Sequence, residues 1–127
     1  MPIIDVALIA DNWIRYWRAK ETPDDVTDLD ADKRVNKLAR QDPDLAFSVI
    51  LKILERIEAS PTEKLFQVLA AGPLEDLLAH HGPAVIDRVE AHARDDERFN
   101  LLLGGVWPST ITPNVWARLK KIRREVW

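Results

Sequence analysis

The sequence predicts an all-α fold: a single domain, residues 1–127, of seven to eight short antiparallel helices. Apolar residues recur at intervals of three and four, and no stretch of five or more residues alternates cleanly between apolar and polar side chains. Several prolines also follow residues that commonly cap helices, a position where the missing proline N–H would be unpaired in any case. These pairs are Asp42-Pro43, Ser60-Pro61 and Thr112-Pro113.

Three helices are expected in the first half of the chain. They cover residues 6–20, 31–40 and 43–58. Asp5 is placed to cap the first, whose apolar stripe includes Trp13 and Trp17. The third is apolar over more than half of its circumference, which predicts a central position with neighbours on two sides.

Glycines and prolines divide the second half of the chain. Gly72-Pro73 and Gly82-Pro83 are each typical of one helix ending and the next beginning. Ser60 and Glu63 have the spacing of a capping box, and Asp95 is placed to cap a short helix. The expected helices cover residues 61–71, 73–81, 83–94, 96–103 and 113–126. Short connections favour a compact bundle or a HEAT-like stack of helical hairpins.

The composition excludes several classes of protein. The 127 residues are 46% hydrophobic and 31% charged, which is ordinary for a globular domain. The absence of cysteine excludes a disulfide framework, a thiolate metal site and a cysteine nucleophile. No apolar run approaches the ~20 residues of a membrane span, and no signal peptide is recognisable. A net charge of −3 gives no general attraction to nucleic acid. We therefore expect a cytoplasmic protein.

Residues 21–32 hold six acidic side chains and no basic one. The spacing of three of these aspartates resembles the start of a calcium loop, but Lys33 stands where that loop needs glycine and Ala39 where it needs glutamate. Two interpretations stay open: a solvated linker with helix-capping aspartates, or a protein-binding acidic patch. The candidate binding residues are Asp24, Asp25, Asp28, Asp30 and Asp32.

Trp107 lies in a predicted turn between Gly104-Gly105 and Pro108. Tryptophan usually buries a large area while one polar edge reaches a partner, so we expect a buried indole that secures the turn. The alternative is an exposed residue that binds another protein, and Trp107 is therefore included among the candidate protein-binding residues.

The histidines and the last helix offer two further candidate sites. Asp76 and His80 are four residues apart and, with His81, could form a metal site or an acid–base pair. The alternative places both histidines in the last turn of a helix, where they favour the negative end of its dipole. We assign no catalytic, cofactor-binding or metal-binding residue, because the sequence contains none of the common enzyme motifs.

The last helix is strongly basic and is flanked by aromatic residues, an arrangement that can grip phosphates and stack on bases. Its basic residues are Arg118, Lys120, Lys121, Arg123 and Arg124, with Trp116 and Trp127 on either side. Cations also suit the C-terminal end of any helix. In a chain that is acidic overall, we interpret this face as solvated and do not expect nucleic-acid binding.

Three motifs carry a family resemblance. They are W-I-x-Y-W at 13–17, G-P-L-E-D-L-L-A-H-H-G at 72–82 and F-N-L-L-L-G-G-V-W at 99–107. With them, the chain resembles a bacterial family of small proteins known only as a domain of unknown function. The resemblance implies a compact helical domain and brings no activity, cofactor or catalytic residue.

These observations favour a non-catalytic protein-interaction module. Its sharpest form is an immunity protein that neutralises a basic toxin domain, because an acidic surface steers association with a basic partner. The alternatives are a nucleic-acid-binding protein that uses the last helix and a small enzyme or metal-binding protein centred on Asp76, His80 and His81.

Overall fold

The computed structural model describes residues 5–19, 24 and 27–127. Helix accounts for 74% of them and none lies in a strand, so the predicted all-α class is confirmed. The α-helices are α1 (Val6–Arg18), α2 (Ala31–Gln41), α3 (Pro43–Arg56), α4 (Lys64–Leu69), α5 (Glu75–Asp95), α6 (Glu97–Leu103) and α7 (Pro113–Ile122). Among these described helices, none combines the length and the apolar character that crossing a bilayer requires.

Of the two Gly-Pro pairs, Gly72-Pro73 does not separate two helices, and that part of the prediction was wrong. A π-helical turn, Ala70–Leu74, joins α4 to α5 and accommodates Pro73. At Gly82-Pro83 the predicted break is present: His81 is non-helical, with φ −135° and ψ 24°, and α5 consists of two helical parts that meet at a kink there. Proline lacks the N–H of a regular turn and crowds the carbonyl four residues earlier, which explains the kink. The described chain therefore has six continuous helical runs, and the HEAT-like stack stays a prediction.

Gly82 lies where α5 and α7 approach each other closely. A Cβ atom built on Gly82 would lie 3.1 Å from both γ-methyl groups of Val115. The glycine thus permits close packing between two helices, which explains why it occurs inside a helix despite its poor helix propensity.

Two of the predicted aspartate caps are confirmed. Asp5 accepts a hydrogen bond from the Leu8 N–H at 3.0 Å. Asp42 accepts one from the Leu45 N–H at 3.2 Å, with Pro43 as the first residue of α3. Both caps satisfy N–H groups that a helix leaves unpaired at its beginning.

Two other helix starts differ from the prediction. Residues 60–63 form a turn in which the Ser60 hydroxyl accepts the Thr62 N–H at 3.3 Å, so the capping box does not form and α4 begins at Lys64. The cap of α6 is Asp96 and not Asp95, because its carboxylate accepts the Phe99 N–H at 3.2 Å. Each shift moves the helix start by one to three residues.

The core is arranged around α3, as its wide apolar surface predicts. Helix α3 packs against α1, α2, α5 and α6, and Phe47 meets the ring of Phe99 edge to face at 5.9 Å. Trp13 of α1 is fully buried against this core. Arg98 closes the far end of α3 by donating to the carbonyl oxygens of Leu54 and, at 2.7 Å, Ile57.

Replacing Gly72 with Ala is expected to raise the free energy of unfolding by about 0.5–1 kcal/mol. Apart from its two chain neighbours and the backbone of its own helix, a Cβ atom at this position meets nothing within 4 Å, and the backbone of Gly72 has no positive φ. Urea unfolding measures the change. The matched control is Ala71→Gly, at the neighbouring exposed position of the same π turn, which we expect to lower stability by a similar amount. A lower free energy of unfolding for Gly72→Ala would contradict the conclusion that a methyl group has room at position 72.

Candidate protein-binding surface

The loop between α6 and α7 presents an exposed tryptophan. We call residues 104–112 the Trp107 loop. Val106 and Ile111 are buried and secure the loop, whereas the side chain of Trp107 is 60% exposed. The expectation of a buried Trp107 was therefore wrong, because the smaller aliphatic side chains on either side of it fill the core instead.

The Trp107 loop is held from two directions. Glu75, at the start of α5, accepts the backbone N–H of Trp107 at 2.8 Å. Arg123, just after α7, donates to the carbonyl oxygen of Val106 at 3.0 Å. The Ile111 N–H also closes a turn on the carbonyl oxygen of Pro108 at 2.8 Å. The exposed indole therefore projects from a well-supported backbone.

The acidic residues are partly used within the fold. Asp28 is ion-paired with Arg34 and accepts the Asp30 N–H at 3.0 Å. The hydrogen bond from Arg34 lowers the pKa of the Asp28 carboxyl below its ordinary value, with the Asp30 N–H adding to the effect. Asp28 thus supports the segment that precedes α2, but Asp30, at the cap position of that helix, makes no side-chain capping hydrogen bond, so the capping interpretation is not confirmed.

The other acidic candidates are placed differently. Asp32 accepts the indole N–H of Trp17 at 3.2 Å and thereby joins α2 to α1. Asp24 accepts the Thr27 hydroxyl at 2.8 Å. The side chains of Asp24 and Asp30 lie at the surface, and Asp25 lies outside the described residues. The surface charge of this segment therefore comes from Asp24 and Asp30 among the described candidates.

The histidine candidates bond to backbone and not to the carboxylate. The Nδ1 of His80 lies 2.9 Å from the carbonyl oxygen of Asp76, and the Nε2 of His81 lies 2.6 Å from the carbonyl oxygen of Arg40. His81 is the non-helical residue at the kink of α5, so both histidines lie at the end of the first helical part of α5, as the dipole interpretation expects. Within the described residues, no group of three or more histidine, aspartate or glutamate side chains is arranged to hold a metal ion.

The basic residues of α7 and of the two positions after it do not form one free face. Arg118 is paired with Glu90 and, at 2.6 Å, with Asp87. The hydrogen bond from Arg118 lowers the pKa of the Glu90 carboxyl. Arg123 stacks on Trp116 at 4.7 Å, and its burial lowers the pKa of its guanidinium. Three basic residues stay exposed: Lys120, Lys121 and Arg124.

The predicted last helix is too long. Helix α7 ends at Ile122, and Arg123 is extended, with φ −72° and ψ 140°. Residues 123–127 then lie against α6, and the indole of Trp127 stacks on Phe66 of α4 at 5.4 Å. The sequence did not lead us to predict that Asn100 is buried and bonded to other segments. A polar residue within the apolar run of α6 is nevertheless a signal that could have indicated it. No sequence signal indicates that Glu75 supports the Trp107 loop, because the Trp107 N–H that it accepts lies 32 residues away in the chain.

Comparisons with known proteins place the chain in a family. No curated protein and no solved structure matches it significantly. A model described as "Family of unknown function (DUF6869)" matches residues 18–126. This span includes the acidic segment, the Trp107 loop and α7, and it leaves out the W-I-x-Y-W motif of α1. Because the match covers most of the chain, the protein belongs to the family of unknown function DUF6869.

Proposed function

We propose that this protein is a non-catalytic protein-binding module, and specifically a bacterial, cytoplasmic immunity protein that neutralises a toxin. The observation that carries the proposal is Trp107, an indole that is 60% exposed on a supported loop. Tryptophan is enriched among the few residues that supply most of the binding energy in protein interfaces. A side chain on an ordered loop also loses less conformational entropy on binding than one on a mobile loop.

Charge supports a basic partner. The chain has a net charge of −3, and Asp24 and Asp30 present their carboxylates at the surface. Such charges raise the rate of association with a basic partner more than they raise the final affinity. We therefore expect two separate contributions to binding: Trp107 supplies affinity, and the surface aspartates raise the rate of association with the basic partner.

The protein encoded next to this one is the partner to test first, since an immunity protein and its toxin are expected from neighbouring genes. Trp107→Ala is expected to weaken the complex by about 30-fold or more while leaving the unfolding temperature unchanged. Calorimetric titration measures the affinity, and rescue of cells that express the toxin measures neutralisation. Leu8→Ala is the matched control, because Leu8 is 55% exposed on α1, a different element from the Trp107 loop.

The steering contribution is tested with the double variant Asp24→Asn/Asp30→Asn. We expect slower association and a weaker dependence of the association rate on salt, with little change in the dissociation rate. Unchanged affinity for Trp107→Ala would contradict the proposed binding surface. A neighbouring protein that is neither toxic nor bound would contradict the immunity function.

A further inference from the structure

The segment after α7 is bound to the domain in the way an extended peptide is bound. We call the residues that receive Trp127 the Trp127 socket: Phe66, Leu101, Gly104 and Gly105. The backbone N–H of Trp127 donates to the carbonyl oxygen of Gly104 at 3.0 Å, and its indole N–H donates to that of Leu101 at 2.7 Å. Both polar hydrogens of this residue are therefore paired with backbone of the socket.

The socket fits an indole because it lacks two side chains. A Cβ atom built on Gly104 would lie 2.8 Å from Cδ1 of Trp127, and one built on Gly105 would lie 2.7 Å from Cζ2. Such distances are shorter than ordinary carbon–carbon contacts, so only glycine permits this approach. On another side, the ring of Phe66 stacks on the indole with an interplanar angle of 24°.

Asn100 recognises the backbone of the same segment. Its side chain is only 2% exposed, and its Oδ1 accepts the Arg124 N–H at 2.9 Å. Its Nδ2 donates to the carbonyl oxygens of Ala93, at 3.1 Å, and Ile122, at 3.0 Å. The amide is thus aligned by α5 and by the end of α7, and it presents its oxygen to the incoming chain.

The contacts follow the usual pattern of peptide recognition. Backbone groups of Arg124 and Trp127 are paired, one large side chain is inserted, and Val126 between them is 63% exposed. Main-chain hydrogen bonds give such a site its affinity, and the pocket for one side chain gives it specificity. A cleft of about 310 Å³ beside the segment, lined in part by Glu97, leaves open space along its path.

We propose that the Trp127 socket is a binding site for extended segments that carry tryptophan, and that residues 123–127 of a second copy of this chain can occupy it in place of the chain's own. Residues 123–127 of a second copy have the same atoms as the chain's own segment. Exchange of the segment between two copies therefore keeps every contact with the socket. The chain's own segment is present at an effective concentration near the millimolar range. Exchange is therefore detectable when one copy cannot fill its own socket.

Two full-length variants test the exchange. Trp127→Ala removes the indole and leaves the socket empty. Gly105→Val places a side chain in the socket, so that residues 123–127 of this variant are displaced from it while they keep Trp127. Each variant alone is expected to be monomeric, and an equimolar mixture is expected to contain heterodimers by size-exclusion chromatography with light scattering. Val126→Ala replaces Trp127→Ala in the control mixture, which should stay monomeric because that chain fills its own socket.

A peptide gives an independent measurement. A fluorescently labelled peptide of residues 119–127 is expected to bind full-length Trp127→Ala, and the same peptide with alanine in place of tryptophan to bind at least about 10-fold more weakly. Circular dichroism establishes that each variant is folded. If Gly105→Val does not fold, the peptide measurement decides. A folded Trp127→Ala that binds neither peptide nor Gly105→Val would overturn the proposal, and so would equal binding of the two peptides.

Discussion

Replacing Asn100 with Leu is expected to lower the free energy of unfolding by about 3 kcal/mol. Leucine branches at Cγ as asparagine does and is larger, so that the change removes the hydrogen bonds without leaving a cavity. Three backbone groups lose their partner: the carbonyl oxygens of Ala93 and Ile122 and the N–H of Arg124. A buried polar group left without a partner costs about 1–3 kcal/mol, and water can reach some of these groups at the ends of their helices.

Urea unfolding followed by circular dichroism measures the effect. The matched control is Asn114→Leu, because Asn114 is exposed in the first turn of α7. We expect that change to lie within about 0.5 kcal/mol of zero. Equal stability of the two variants would mean that the Asn100 amide contributes nothing to holding residues 123–127 against α6.

The sequence predicts best where a structure depends on near neighbours. Asp5 and Asp42 each cap a helix through an N–H three residues away, and both caps are present. The absence of alternating apolar and polar residues, which argues against strands, is an equally local pattern. It identifies the all-α class. The Ser60 cap fails although it is local, because Ser60 bonds to Thr62 in a competing turn.

Other predictions fail because the composition of a segment does not by itself determine its structure. Gly72-Pro73 has the composition of a helix end, yet the backbone continues through it in a π-helical turn into α5. For the tryptophans, composition alone does not separate the exposed Trp107 from Trp127, which stacks on Phe66. That difference is set by tertiary partners, which override local patterns.

The Trp107 loop and the Trp127 socket share their backbone. Gly104 and Gly105 begin the loop and also form the socket, and Arg123 connects the segment after α7 to Val106. Glu75 supports the loop from α5 on the other side. Occupancy of the socket should therefore influence how firmly Trp107 is presented, while the Glu75 contact keeps the loop from opening fully.

Trp127→Ala is expected to lower the free energy of unfolding by about 3 kcal/mol, and Gly105→Val by about 2–3 kcal/mol. The first removes the indole that stacks on Phe66, and the second places a side chain where that indole lies. Once the indole is absent, valine at position 105 has room. The double variant should therefore be more stable than the sum of the single effects predicts, by about 1–2 kcal/mol.

Amide hydrogen exchange distinguishes this coupling from general destabilisation. In Trp127→Ala, exchange across the Trp107 loop should accelerate more than exchange in α3, because the loop loses support on one side only. Val126→Ala, at a position 63% exposed in the same segment, should leave both rates unchanged. Uniform acceleration through α3 and the loop, together with additive stabilities, would show that the socket does not act on the Trp107 loop. Faster exchange confined to the loop, with the non-additive stabilities, would connect the segment after α7 to the surface on which binding is proposed.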